Sequence, residues 1–181
     1  MKSKYNLMLK LFGSASIIIY ILLIKLDQPL NSIDYITLIP EAIGFSPIPV
    51  FIFEKWIWKW IPFIKIPKLK REYIGLLKYN FNDQSYKKDI KLFTDQTLTT
   101  VRIKLVTDEV VSNSIIAEIV EENGDFILYY CYRTNPYSEY SDINPIQIGT
   151  CRLNITNPCE ISGVYWTNRK TKGDIFLFKN I

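Results

Sequence analysis

Hydrophobic positions follow two regimes along the chain. Before Lys70 they form two long, nearly unbroken runs; after it they form short runs rich in Val, Ile, Thr, Tyr and Phe that alternate with polar residues. The first long run has fourteen uncharged residues, Leu11 to Ile24, between Lys10 and Lys25. Extended to Leu7 and Leu26 it becomes twenty residues, roughly 30 Å of helix at about 1.5 Å per residue, with both lysines near enough to the ends to snorkel. The sequence continues LIKLDQPLNSIDY with no small-residue cleavage site, which favours a retained helix over a removed signal peptide. The second run, Tyr35 to Phe53, is nineteen residues interrupted by Glu41, Pro40, Pro47 and Pro49. Those prolines predict a kinked helix whose freed backbone groups take partners from neighbouring helices. The connection from about Asp27 to Asp34 leaves room only for a turn, so the two helices are expected to form a hairpin.

Trp56, Trp58 and Trp60 alternate with Lys55 and Lys59 and read as an interfacial belt, after which Pro62 and Pro67 make Ile61 to Leu69 a stiff linker. Beyond it, eight strands are expected at about 71–81, 87–94, 97–107, 113–122, 126–134, 146–156, 159–169 and 174–179. NGD at 123–125, NP at 157–158 and KTKG at 170–173 mark hairpin turns. So many short, hairpin-linked strands suit an eight-stranded, up-and-down, lipocalin-like barrel, because closure removes exposed sheet edges; a sandwich is the alternative. The expected fold class is therefore an N-terminal transmembrane helical hairpin followed by an all-β barrel. Residues 1–60 would be the anchor, 61–69 the linker and 70–181 the ligand-sensing domain.

Alternation then assigns faces. The inward sets are Tyr73, Gly75, Leu77 and Tyr79; Val101, Ile103, Leu105 and Thr107; Phe126, Leu128, Tyr130, Tyr132 and Thr134; and Cys159, Ile161, Gly163, Tyr165, Thr167 and Arg169. Around Gly149 the pattern is ambiguous and suggests a bulge. An interior that turns hydroxyl-rich and ends on a cation resembles a pocket mouth at the end of the barrel farthest from the anchor. The candidate ligand-binding residues are Tyr73, Thr107, Tyr130, Tyr132, Thr134, Tyr165, Thr167 and Arg169. Tyr and Arg offer flat faces for stacking on bases, and Arg with hydroxyls offers donors to phosphate oxygens. The competing interpretation is that tyrosine rings fill the barrel and Arg169 leaves it for solvent.

Charge and composition sharpen this picture. The formal charge of +4 divides into +5 through Lys70, nine basic against four acidic residues, and −1 beyond it, thirteen against fourteen. The basicity belongs to the helical part, which fits an anionic membrane surface and argues against DNA or RNA binding downstream. Lysines flank the outer ends of both helices whereas Asp27 and Asp34 lie in the turn, so both termini and the barrel are expected in the cytoplasm, with the protein multi-pass. The absence of His removes His-dependent catalytic triads and the common zinc motifs, leaving no catalytic residue, metal or cofactor expected. Cys131, Cys151 and Cys159 have no CxxC spacing and read as reduced core residues.

The helix hairpin, Tyr130-x-Tyr132 with nearby Pro136, and Gly163-Val164-Tyr165-Trp166-Thr167-Asn168-Arg169 followed by Gly173 together resemble a known family. It is that of the membrane-anchored effectors of bacterial CBASS antiphage systems, which associate with CD-NTase nucleotide cyclases. The resemblance implies a barrel that binds a cyclic dinucleotide made by the partner cyclase, self-association into a homo-oligomer, disruption of the inner-membrane lipid and death of the infected cell, without catalysis. Gly163, Tyr165, Thr167 and Arg169 match its motif. Glu41 has no counterpart in that pattern. At its depth a carboxyl facing lipid is unfavourable, so it either lies at the headgroups or serves the membrane function by lining a polar seam between helices. Two other functions stay open: a membrane-tethered, lipocalin-like carrier of an apolar ligand, and a structural membrane protein that uses the barrel for docking. An apolar interior without a cation would favour the carrier.

Overall fold

The computed structural model of the chain describes residues 2–81 and 84–180. They divide into two compact units, one of Met1–Ile64 with Thr97–Thr99 and one of Lys65–Gln96 with Thr100–Ile181.

The helical unit opens with α1 (Lys2–Asp27), followed by α2 (Ser32–Phe45), α3 (Pro47–Lys55) and a 3-10 turn over Ile57–Trp60. The Asp34 carboxylate accepts the Asn31 backbone N–H at 3.2 Å and starts α2 after a four-residue turn. Leu38, Ala42 and Ser46, spaced by four, are buried on the face toward α1, where the Ser46 and Ser16 hydroxyls lie 2.7 Å apart. The expected kink comes at Ser46, just ahead of Pro47, while Pro40 is carried inside α2. There the Ser46 N–H turns to the Ile43 carbonyl, and the Ala42 carbonyl it leaves is taken by the hydroxyl of Ser46 itself at 2.6 Å. The freed group is thus satisfied within its own helix, which a serine can do by bonding back four residues. Lys4–Asp27 and Ser32–Lys55, 24 residues each, are long and apolar enough to cross a membrane, and side chains such as Ile17, Ile18 and Leu22 remain exposed. Of the expected aromatic belt, Trp56 and Trp60 are exposed but Trp58 is fully buried.

The second unit is a closed barrel of β1 (Glu72–Phe81), β2 (Gln84–Gln96), β3 (Val101–Val106), β4 (Val110–Glu122), β5 (Asp125–Pro136), β6 (Ile148–Asn154), β7 (Glu160–Thr167) and β8 (Lys172–Lys179). Each strand pairs antiparallel with the next, and β8 returns to β1 from Tyr73↔Lys179 to Asn80↔Lys172. That pairing rules out the sandwich. The inward faces follow the alternation, since Tyr73, Ile103, Leu105, Leu128, Tyr130 and Tyr165 are all buried in one core. Three expectations are corrected. The register break lies in β4 between Ser114 and Ile116, not at Gly149, which pairs regularly with both Tyr132 and Thr167. Cys159 is exposed in the β6–β7 connection and Cys131 is half-buried on the outward face of β5, leaving only Cys151 in the core. Arg169 lies in the turn after β7, because that strand ends at Thr167 and Lys170 takes a left-handed conformation at φ 63°.

Residues 65–70 close one end of the barrel. Ile66 and Leu69 pack on the core, and the buried Gln96 amide accepts from the Leu69 N–H at 2.8 Å while donating to the Pro67 carbonyl at 2.8 Å. Tyr73 completes the closure, its hydroxyl accepting from the Lys70 N–H and donating to the Pro158 carbonyl, both at 2.8 Å. At Gly75 the β1 and β8 backbones come so close that a Cβ would lie 1.9 Å from the Phe176 carbonyl oxygen. Gly75→Ala must force these strands apart and is expected to destabilise the barrel by about 2–3 kcal/mol. Urea unfolding of residues 65–181 checks this; an unchanged midpoint would show that the strands yield freely.

Candidate functional site

The opposite end of the barrel is open and leads into a cavity of about 370 Å³, within the range of small-ligand pockets. Its floor is apolar, formed by Leu77, Leu105 and Ile175 with the Cys151 thiol. Above the floor stand tyrosines from four strands. Tyr79 on β1 and Tyr86 on β2 are register partners whose rings stack at 5.4 Å, and Tyr130 and Tyr132, two apart on β5, lie at 5.8 Å with Tyr165 of β7 also lining the cavity. Gly149 makes room for this arrangement, because a Cβ there would sit 2.4 Å from the Tyr132 ring. The residue that looked like a bulge is instead the space the ring occupies.

Burial is the leading cause that raises the pKa of Tyr130 well above the ordinary phenol value, and it raises those of Tyr132 and Tyr165 as well. The Cys151 thiol beside Tyr130 is likewise pushed up by burial, to about 12. These groups are neutral near pH 7, so the tyrosines offer O–H donors and uncharged rings.

Seven of the eight candidates from the sequence line the cavity, and Tyr73 does not. Being the second residue of β1, it points into the closed end, where both hydroxyl bonds described above hold it. The three threonines have a shared local task. Thr107 accepts the Glu109 and Val110 N–H groups at 3.2 and 3.0 Å, Thr134 accepts the Gln147 N–H at 2.7 Å, and Thr167 accepts the Arg169 N–H at 3.3 Å. Each hydroxyl therefore shapes one of the rim connections. Arg169 lies exposed at the mouth, with no ion pair for its guanidinium among the described residues.

Alternation was not extended to β2, and this missed the inward cation. Lys88 pairs in register with Leu77, shares the inward face of β2 with Tyr86, Ile90 and Leu92, and forms an ion pair with Glu109 in the turn between β3 and β4. The signal was present in SYKKDIKLF, but starting the strand at 87 and the Lys87–Lys88 doublet obscured which lysine faces in. Glu109, in a turn, carries no periodic signal at all. Among the described residues no cluster of three His, Cys, Asp or Glu side chains is placed to hold a metal ion.

Residues 64–179 match the family model described as Cap15, cyclic dinucleotide receptor domain. The chain is also 37% identical over 182 residues to CD-NTase-associated protein 15 of Staphylococcus schleiferi, an alignment covering 99% of each sequence.

Because Tyr73, Tyr130, Tyr132 and Tyr165 hold their protons more tightly folded than unfolded, the folded barrel retains protons that the unfolded chain releases above about pH 10. Their contribution to stability is complete below that pH and falls as pH rises through it. Urea midpoints measured from about pH 8 to about pH 11 should be flat at first and then drop; a midpoint that stays flat or rises through about pH 11 would show that the cavity phenols ionise in place at least as readily as in the unfolded chain.

Proposed function

The chain belongs to the family of Cap15 cyclic dinucleotide receptors, and from that premise we propose that it is the effector of a CBASS antiviral system whose barrel binds a cyclic dinucleotide made by a CD-NTase. The observation that carries this reading is the cavity itself, in which neutral tyrosines stand between an apolar floor and a mouth holding Lys88 and Arg169. Aromatic faces stack on bases whatever their identity, while the two cations and the phenol donors suit phosphodiester oxygens. The chemistry offered is recognition and not turnover, so the protein acts as a sensor without enzymatic activity. In this reading residues 70–181 sense the ligand and residues 1–60 are the membrane anchor and effector. Ligand-loaded barrels associate into a homo-oligomer, and the gathered helices disrupt the lipid of the inner membrane. The lysine excess at the outer flanks of the helices supports a multi-pass arrangement with both termini and the barrel in the cytoplasm, where the cyclase product would be made.

Titration calorimetry of residues 65–181 against a panel of cyclic dinucleotides tests the binding step. Arg169→Ala is expected to weaken binding by about 1.5–3 kcal/mol through loss of a charge-assisted phosphate contact. The apolar floor keeps one rival in play, a carrier of an apolar ligand. Displacement of a fluorescent fatty acid, with no response to any cyclic dinucleotide, would replace the sensor by that carrier.

Glu41 is the candidate for the membrane step. It is exposed, off the 38–42–46 face that meets α1, and lies nine residues after the start of α2 at Ser32, roughly 13 Å along the helix. A carboxyl at that depth requires a polar neighbour, which a second hairpin can supply in an assembly. Glu41→Gln should spare expression and ligand binding while reducing dye uptake in cells that also make an active cyclase. Wild-type leakage at equal protein level would leave Glu41 an interfacial residue.

A further inference from the structure

Among the described residues Glu109 is the one carboxylate lining the cavity, and it stands where a nucleotide sensor would be expected to avoid negative charge. Its carboxylate is engaged on both sides, paired with Lys88 through one oxygen and accepting the Asn144 side-chain N–H at 3.2 Å through the other. Both members of the ion pair are largely withdrawn from water, at 19% and 25% side-chain exposure, so the pair is less screened than a surface one. The contacts continue into the β5–β6 connection. Asn144 accepts from the Gln147 side chain at 2.6 Å, and the Glu109 carbonyl accepts the Tyr137 N–H at 2.9 Å. Ile143, inside the same connection, lines the cavity.

We propose that Glu109 is a built-in competitor for ligand phosphate at Lys88, a specificity-determining residue whose carboxylate must be displaced before the cavity accepts an anion. This rests on the cyclic dinucleotide reading above and deepens it. With Glu109 in place, the described residues that line the cavity set Lys88 and Arg169 against one carboxylate. A ligand with a single phosphodiester replaces the Glu109–Lys88 pair with one like it and gains little. A cyclic dinucleotide brings two phosphodiesters, one to take Lys88 from Glu109 and one to neutralise Arg169, so displacement favours the doubly charged ring over cyclic mononucleotides, which bring one. Once Lys88 is taken, Glu109 and phosphate repel each other, and the Glu109–Asn144 contact, the side-chain one of two bonds from Glu109 to the β5–β6 connection, is released while the backbone bond to Tyr137 stays. Ligand entry is thereby coupled to the one rim segment that contributes both Asn144 and Ile143.

The test uses the full chain in lipid nanodiscs, titrated with cyclic di-GMP, cyclic GMP–AMP, cyclic di-AMP and the cyclic mononucleotides cyclic GMP and cyclic AMP, each with a single phosphodiester. Glu109→Gln should tighten cyclic dinucleotide binding roughly tenfold and narrow the preference over cyclic mononucleotides, whereas Lys88→Met should weaken it. In the Lys88→Met background, Glu109→Gln should add less than about twofold, because the cation that Glu109 pairs with is no longer there to compete for. Asn144→Ala, which leaves Glu109 less restrained, carries the same sign as Glu109→Gln and decides the matter where that variant fails to fold. Wild-type binding that is unchanged or weakened by both Glu109→Gln and Asn144→Ala overturns the inference and leaves the sensor reading standing. No binding of any cyclic dinucleotide to the wild type overturns both.

Discussion

The hydrogen bonds that return β8 to β1 create the interior on which the site depends. An open sheet of the same strands would have one face toward water and two unpaired edges; the closed one has an inside with two ends. The ends are made differently. One is sealed by residues 65–70, with Gln96 and Tyr73 satisfying the backbone groups that the seal buries. The other is left to the hairpin connections, and a threonine at the end of β5 and β7, or just after β3, holds each turn in shape by accepting its backbone N–H groups. The rim is thus built without using the tyrosines, which remain directed into the cavity.

The polar groups deep in the cavity are neutral, and the charged side chains among its described lining stand at the mouth. Burial keeps the phenols and the Cys151 thiol protonated, so the deep part offers donors and ring faces to a ligand without an electrostatic cost to its bases. Lys88 and Arg169 stand where an anion would arrive from solvent, one paired and one free of ion pairs among the described residues.

Much of the fold was legible because period-two alternation is a direct record of which side chains face in. It placed Tyr130, Tyr132 and Tyr165 on inward faces, and the barrel followed from the number and shortness of the strands. Alternation reports the face, however, and not the height along the barrel. Tyr73 and Tyr79 share a face of β1, but only Tyr79 reaches the cavity, since height depends on strand tilt and on what fills each end. The same limit hid the role of Thr107, Thr134 and Thr167, whose inward side chains turn to local backbone. Gly149 broke the pattern because the space it vacates belongs to a residue on another strand, information that no local window contains. Lys88 was readable in principle; Glu109, placed by a turn, was not. In the helices, proline composition announced a break but not its place, which is Ser46, where the hydroxyl takes the Ala42 carbonyl, while Pro40 is carried inside α2.

The sealed end of the barrel has a mechanical consequence. Lys70 is clamped through Tyr73 to Pro158, and Pro67 and Leu69 are clamped through Gln96, so the chain entering β1 has no slack over its last residues. Tension applied to the polypeptide from its N-terminal side would therefore reach the bonds at Pro67, Leu69 and Lys70 before it reached β1. The plug would behave as a grip, and a barrel held this way would transmit a pull as a unit instead of unravelling from its first strand.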